Sequence, residues 1–369
     1  MTERDRRALL VLLSLASMTP RRLLELADET GTATASLEAV KGGKAGSESD
    51  RSFARAIRPE EIAARMKAAG ARSITVHDPE YPKHLLDLFD PPAGLFVRGG
   101  SLDRLSSPVA IVGARNCSPG GAETASLLAR SLAGCGATVV SGGARGIDAA
   151  GHRGALEGGG TTVVVLGSGV DVAYPRQNRR LFESILASGC IVSEYPPGTH
   201  AEPFRFPARN RIVAALSRAV VVVEGATGSG SMITAEHALD LGRDVFAVPG
   251  AVTSELAQVP LGLIREGATM IRGADDLIAD LGLELLTPRS GGTGATTSTQ
   301  GLLAPSGREK AIWEALAASS APDRLASLTG LPLGGVVSAL VGLELRGLVR
   351  QVGGRYERRL GSRGQGRAE

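Results

Sequence analysis

Four glycine-rich turns hold the residues of this chain that can do chemistry, and the chemistry they suit is phosphate binding. They read Gly113-Ala-Arg115, Ser141-Gly-Gly-Ala-Arg-Gly-Ile-Asp148, Gly167-Ser-Gly169 with Tyr174-Pro-Arg-Gln-Asn178 behind it, and Glu224-Gly-Ala-Thr-Gly-Ser-Gly-Ser231. Glycine leaves backbone N–H groups uncovered, and a helix starting after such a turn adds the positive end of its dipole. Gly113, Ser141, Gly142, Gly143, Gly146, Ser229, Gly230 and Ser231 are the candidate phosphate contacts. Neither dinucleotide fingerprint, G-x-G-x-x-G nor G-x-x-x-x-G-K-[ST], is present. A nicotinamide or ATP pocket of the familiar kinds is therefore not expected, nor any cofactor.

Arginines gather at the same turns. Arg115 and Arg145 lie within two of them, Arg176, Arg179 and Arg180 surround the start of a following helix, and Arg209, Asn210 and Arg211 belong to Phe206-Pro-Ala-Arg-Asn-Arg-Ile212. Collected around backbone amides they suit a polyanion, each neutralised phosphate adding roughly one unit to the log–log salt slope. Arg209-Asn210-Arg211 stays open between that role and a clamp on backbone carbonyls. Aromatics make up only 3% of the chain, yet Tyr174, Phe182 and Phe206 fall beside this cluster. An aromatic next to a basic groove can stack a base. Phe182 is expected to stack and Phe206 to pack in the core.

Catalytic sets are harder to find. Asp148 and His152 stand four apart, as in half a metal site. Asp148 falls where a helix begins, however, and suits its positive end, which leaves His152 one turn on against the sheet. His77, His84, His200 and His237 make no ligand spacing with it. Ser141, Ser229 and Ser231 lack a G-x-S-x-G elbow. Glu194 and Glu224 both follow strands and are candidates for a carboxylate pair. The residues predict a binding protein, with no enzymatic activity and no metal.

The elements that position these turns are short β-branched runs alternating with helical stretches. The runs cover residues 109–112, 137–140, 162–166, 190–193, 219–223 and 245–248, each almost wholly apolar, as strands covered on both faces are. The intervening 15 to 30 residues hold crossover helices, which predicts an extended Rossmann-like, doubly wound, mostly parallel α/β sheet over 76–285. Residues 1–75 are rich in alanine and leucine at helical spacing and predict a helical domain. Residues 286–306 have no apolar periodicity and predict a flexible linker. Residues 307–360 read as three helices and a hairpin turning on Gly353-Gly354, the order of a winged helix, and 361–369 as a disordered tail. Of 41 basic residues only five are Lys, and net charge is +3, so the position of the arginines carries the phosphate argument rather than their number. Cys117, Cys135 and Cys190 are scattered, which argues against a disulfide framework or a zinc site. No apolar run is long enough to span a membrane, and a cytoplasmic protein is expected.

The ordered set of motifs resembles the DNA-processing protein A family, also called DprA or Smf. It runs through Tyr81-Pro82, Ile111-Val-Gly-Ala-Arg115, Val140-Ser-Gly-Gly-Ala-Arg-Gly-Ile-Asp-Ala-Ala-Gly-His152, Tyr174-Pro175, Ser193-Glu194, Phe206-Pro-Ala-Arg-Asn-Arg211, Ser229-Gly-Ser231 and Val248-Pro-Gly250. The N-terminal helices resemble that family's sterile-alpha-motif-like domain and residues 307–359 its winged helix. The resemblance implies a homodimer that binds single-stranded DNA without sequence preference, protects incoming DNA and loads a RecA-type recombinase during natural transformation. It implies phosphate roles for Arg115 and the 141–145 turn, a DNA contact among Arg176, Arg179 and Arg180, stacking by Phe182, and a pocket completed by Ser229-Gly-Ser231. The chain departs from the family's usual pattern at Val259-Pro-Leu261, where Gly-Thr-Asn is common, and at Ser17-Met-Thr-Pro20. Two other readings remain: a Rossmann-like nucleotide-phosphate hydrolase using Glu224, and a duplex-DNA regulator acting through residues 334–346, whose single base is Arg346.

Overall fold

The structure is a computed structural model that describes residues 2–284, 308–316, 319–345 and 348–358. It divides into two compact units joined near residue 286.

Five helices open the first unit: α1 Glu3–Leu12, α2 Pro20–Thr30, α3 Ala33–Lys41, α4 Glu48–Ala56 and α5 Pro59–Ala69. The hydroxyls of Thr2, Thr19, Thr32 and Ser47 cap the first four by accepting a first-turn N–H, and proline begins α2 and α5. The alternating part follows as β1 Ala71–Thr75, β2 Gly94–Gly99, β3 Val109–Val112, α6 Pro119–Gly134, β4 Val139–Ser141, α7 Ile147–Glu157, β5 Thr162–Leu166, α8 Arg179–Ile185, β6 Cys190–Ser193, α9 Arg205–Ala215, β7 Ala219–Val222, α10 Gly230–Asp240, β8 Asp244–Ala247, α11 Gln258–Arg265, β9 Thr269–Met270 and α12 Ala274–Asp280. The strands form one sheet in the order β1-β2-β6-β5-β4-β3-β7-β8-β9, antiparallel only at β1–β2 and β2–β6.

Strands β3, β5, β6 and β7 are buried along their whole length. Alternate residues feed opposite faces: Ala110, Val112, Val220 and Val222 join one apolar cluster, Val109, Ile111, Ala219 and Val221 another. This two-sided burial is why the sequence reads as unbroken apolar runs. From β3 the chain steps outward through β4, β5 and β6, then returns by α9 to β7 on the other side of β3. The crevice between the carboxyl ends of β3 and β7 is the topological switch point, where such sheets bind ligands.

Residues 1–75 do not keep a core to themselves. Val11, Leu12, Leu13, Met18, Ile62 and Met66 share one cluster with Phe96, Val164, Leu166 and Ile191 of the sheet. The expected boundary at 75 also cuts across the pairing of β1 with β2. A Cβ on Gly94 of β2 would meet the end of the Leu13 side chain at 2.7 Å, which shows how closely the N-terminal helices pack on the sheet there.

The second unit contains α13 Arg308–Ala315, α14 Pro322–Thr329, α15 Leu333–Leu345 and the hairpin β10 Val349–Val352 with β11 Arg355–Arg358. Gly353 and Gly354 take φ of 56° and 76°, the two positive values a tight two-residue hairpin turn requires. Its core gathers Ile312, Leu325, Val336, Leu340, Leu343 and Tyr356. The expected linker at 286–306 and tail at 361–369 lie outside the described residues. No single helix among the described residues is long and apolar enough to cross a membrane.

Candidate nucleic-acid interface

Three of the glycine turns interlock at the switch point. Ala114 N–H, just past β3, donates to the Glu224 carbonyl past β7 at 2.7 Å, and Ile147 N–H at the start of α7 donates to the Ala114 carbonyl at 3.2 Å. A Cβ on Gly113 would lie 2.7 Å from both the Glu224 carbonyl and the Ile147 side chain. One on Gly146, at φ 73°, would collide with the Ala114 carbonyl. Glycine is needed at both positions for the loops to touch. The Glu224 carboxylate adds a side-chain tie, accepting from Ser118 N–H at 2.8 Å and Ser118 Oγ–H at 2.6 Å, where Ser118 caps α6. Arg115 is thereby held between two fixed points with its side chain exposed.

The second turn is more buried than its sequence suggests. Ser141 is fully buried and donates to the Ile111 carbonyl at 2.6 Å, so it braces β3 against β4 rather than facing the cleft. Gly143, at φ 70°, packs on Val164 and the Phe182 ring. Phe182 is 3% exposed and lies within the core cluster. The expectation that it stacks a base is corrected here: α8 turns Phe182 and Ile185, three residues apart, inward together. Asn178, which the sequence reading passed over, donates through Nδ2 to the carbonyls of Gly143 and Ala144, both at 3.0 Å, and fixes the turn from behind.

Phe206 takes the place expected for Phe182, which corrects its assignment to the core. It is half-buried at the start of α9 and stacks on Tyr174 with ring centroids 5.2 Å apart and planes inclined by 26°. The Arg115 guanidinium lies 5.2 Å from the Phe206 centroid. Tyr174 keeps 47% of its surface exposed. These three side chains form a shelf shared by two hollows. One, about 640 Å³, lies between residues 113–116 and 226–231 and reaches Asp148, Val213 and Ile233. The other, about 610 Å³, is lined by Arg145, Arg176 and His200.

Arg209, Asn210 and Arg211 resolve toward the structural side of the alternative left open. Arg209 is buried and donates to the carbonyls of Gly142 and Val165, clamping the ends of β4 and β5 beneath the cleft. Burial pushes its pKa down to about 10, against the pull of nearby Asp148. Burial pushes the Asp148 carboxyl up, while Arg209 and the Ala144 N–H at 3.2 Å pull it down. Asn210 donates to the Gly230 carbonyl at 3.0 Å and so ties α9 to the start of α10. Arg211 points away from the cleft into an ion pair with Glu194, one guanidinium nitrogen donating to both carboxylate oxygens at 2.8 and 2.9 Å. Burial pushes the Glu194 carboxyl up and Arg211 opposes it. Glu194 and Glu224, expected as a pair, are thus spent on separate frameworks.

At the start of α10, Ser229 caps the helix by accepting from Ser231 N–H at 3.3 Å, and Ser229 and Gly230 line the larger hollow with the nearly buried Ser231. Arg179 is 76% exposed but pairs with Glu183 on its own helix, and neither it nor Arg180 lines either hollow. His152 is fully buried, its Nδ1 2.7 Å from Thr162 Oγ1, which itself donates to Val139. The imidazole is therefore neutral with its proton on Nδ1, and burial pushes its pKa down to about 3. Among the described residues no three His, Cys, Asp or Glu side chains are placed to share a metal ion.

Comparison with known proteins places this architecture. Residues 72–282 match the family described as DNA recombination-mediator protein A, and residues 296–355 the DprA winged helix domain. Protein Smf of Synechocystis is 38% identical over 318 residues, spanning 78% of this chain and 80% of its own length. The X-ray structure of DNA processing protein A from Streptococcus pneumoniae superimposes with a TM-score of 0.65 at 34% identity, covering 78% of this chain and 99% of that one. The Helicobacter pylori DNA processing protein A, whose structure was described for its single-stranded DNA binding mode, gives 0.52 at 31% identity, covering 58% and 97%.

Proposed function

The chain belongs to the DNA recombination-mediator protein A family, and on that premise we propose that it binds single-stranded DNA without sequence preference at the Arg115–Tyr174–Phe206 shelf, protects the strand, and hands it as a homodimer to a RecA-type recombinase during natural transformation. The observation that carries this reading is the shelf itself: two stacked aromatic rings and an exposed guanidinium at the ligand-binding edge of the sheet. The flat face of a base is hidden in a duplex and open in a single strand. Exposed aromatic faces therefore favour single strands, and because every base has such a face they do so without reading sequence. Arg145 and Arg176, both exposed, supply charge for the backbone alongside Arg115.

A binding role without catalysis is supported by the carboxylates. Asp148 accepts from Ala144 N–H, Glu194 pairs with Arg211 and Glu224 accepts from Ser118 at the N-cap of α6, so each of these carboxylates already has a structural partner. The homodimer and the recombinase rest on the family alone.

Fluorescence anisotropy with labelled single- and double-stranded oligonucleotides of mixed sequence, across a salt series, tests the reading. Three rim arginines predict a log–log salt slope near −2 for single strands, from about 0.7 for each phosphate neutralised, and Arg115→Ala lowers it by about 0.7. Equal affinity for duplex, or no single-strand binding, would falsify the proposal.

A further inference from the structure

We infer that a hollow beside α2 is the docking site for a basic segment of a partner protein, which sets an aliphatic side chain between the N-terminal helices and its Lys or Arg against two carboxylates there. The hollow, about 540 Å³, lies at the β1 edge of the sheet and shares no residue with the two that border the shelf. Its apolar walls come from Leu9, Leu12 and Leu13 of α1 and from Leu23, Leu24 and Ala27 of α2. Helix α2 buries only Leu26, whereas Leu23, Leu24 and Ala27, which share a side of the helix by their spacing, stay half-buried. Side chains that border an open hollow have no neighbours on that side and forgo the dispersion contacts a filled one gives. An aliphatic group of a short segment laid against the helices restores those contacts and displaces water from apolar walls.

Charge selects the segment. The hollow's charged lining residues are both acids, Asp5 and Asp28. The Thr2 and Thr34 hydroxyls donate to Asp5 and hold its carboxyl down to about 2, so it stays ionised. Asp28 is exposed and has no hydrogen bond or ion pair of its side chain among the described residues. Arginines on the same two helices are engaged elsewhere, Arg6 with Asp78, Arg7 with Glu3 and Glu60, and Arg21 and Arg22 with Glu25. A cationic segment is therefore favoured here and repelled by the exposed arginines of the shelf, whereas a polyanion has the reverse preference. Because the two sites have opposite charge and no residue in common, both can be filled at once.

The test uses the full chain and the anisotropy of a labelled peptide, Lys-Lys-Leu-Leu-Lys-Lys-Leu-Leu-Lys-Lys. Two controls replace every Lys by Glu or every Leu by Ser. The Lys/Leu peptide is expected to bind roughly tenfold or more tightly than either control, since each control removes one of the two kinds of contact. Ala27→Trp fills the hollow and is expected to weaken that binding by roughly tenfold or more. Asp28→Lys, at an exposed side chain that packing does not need, is expected to weaken it by about three- to tenfold. Circular dichroism and melting like wild type show that each variant is folded; should Ala27→Trp fail there, Asp28→Lys alone decides. No binding by wild type, no preference for the Lys/Leu peptide, or unchanged binding in a folded variant overturns the inference. Binding that appears only after residues 359–369 are removed, a stretch holding Arg359, Leu360, Arg363 and Arg367, overturns it in favour of the chain's own tail as the occupant.

Discussion

Glu224 decides whether the strand-end carboxylates are framework or chemistry. Its carboxylate holds Ser118 through two hydrogen bonds of 2.8 and 2.6 Å at the N-cap of α6, and a Cβ on Gly121 would run into it. Glu224→Ala removes both bonds and a negative charge at the positive end of a helix. A hydrogen bond to a charged group contributes about 1.5–3 kcal/mol. The site is only half-buried, so the two together are set at roughly 2–3 kcal/mol. At about 2–4 °C per kcal/mol for a domain of roughly this size, the melting temperature falls by roughly 4–12 °C. Arg115 lies between Ala114 and Ser118, so it loses one of its two anchors, and single-strand affinity drops by about three- to tenfold, a 1 kcal/mol scale, as the loop spreads over more conformations. The salt slope stays as in wild type, because the guanidinium remains. Glu224→Gln keeps one acceptor oxygen and recovers part of both losses. Calorimetry and anisotropy on the same preparations read the outcome. A variant that melts like wild type but loses binding, or loses a nucleotide-cleaving activity present in wild type, would refute this reasoning, since Glu224 would then be acting on the ligand.

The two phenylalanines separate cleanly. Phe182→Ala opens a cavity in the core and costs about 3–5 kcal/mol of stability, whereas Phe206→Leu melts near wild type and lowers single-strand affinity by about 1–3 kcal/mol at every salt concentration; the opposite pattern in melting and anisotropy would restore Phe182 as the stacker. Arg211→Ala leaves Glu194 buried and unpaired, which costs about 3–5 kcal/mol, while replacing both by apolar residues costs far less; chemical denaturation of the single and double variants measures the difference. His152 is neutral in the fold, with a pKa near 3, and has an ordinary value of 6.5 when unfolded. The unfolded chain therefore binds the extra proton between those values, and stability falls as pH drops through that window, by up to about 1.4 kcal/mol per unit. His152→Gln should flatten the decline between pH 7 and 5, and an unaltered pH profile of melting would show that His152 is not its source.

Much of this fold is legible in the sequence for a definite reason. Strands β3 to β8 are buried on both faces, so their apolar runs stand out, and their boundaries shift by only a residue or two, as at β4. The three strands missed lie at the margins of the sheet. β1 mixes Arg72 and Ser73 with Ile74, β2 begins and ends on glycine, and β9 is two exposed residues long. The glycine turns were legible because close loop contact demands glycine whatever the ligand. What stayed hidden is direction. Phe182 and Phe206 both sit near the arginines in sequence, and only the register of α8 and α9 says which ring faces the core. The spacing of Phe182 to Ile185 was the available signal for the first.

Arg209 and Arg211 show why counting arginines does not locate a polyanion site. Two residues apart on α9, they point to different sides of the helix. Arg209 lies near Asp148 under the cleft and Arg211 pairs with Glu194 beyond it. Taking a guanidinium out of water is costly unless hydrogen bonds or a counter-charge go with it, so a buried arginine has its donors engaged: Arg209 holds two backbone carbonyls with Asp148 nearby, and Arg211 holds Glu194. A guanidinium so engaged has little left for a phosphate. The arginines that can exchange partners are those in solvent, here Arg115, Arg145 and Arg176, and the same exposure makes their contacts weak singly and sensitive to salt. The proposed function, holding a strand and later releasing it to a recombinase, is well served by that arrangement. Affinity built from several screened contacts and a few stacked faces can be dismantled one nucleotide at a time, which a single deep, desolvated ion pair with the backbone would not allow.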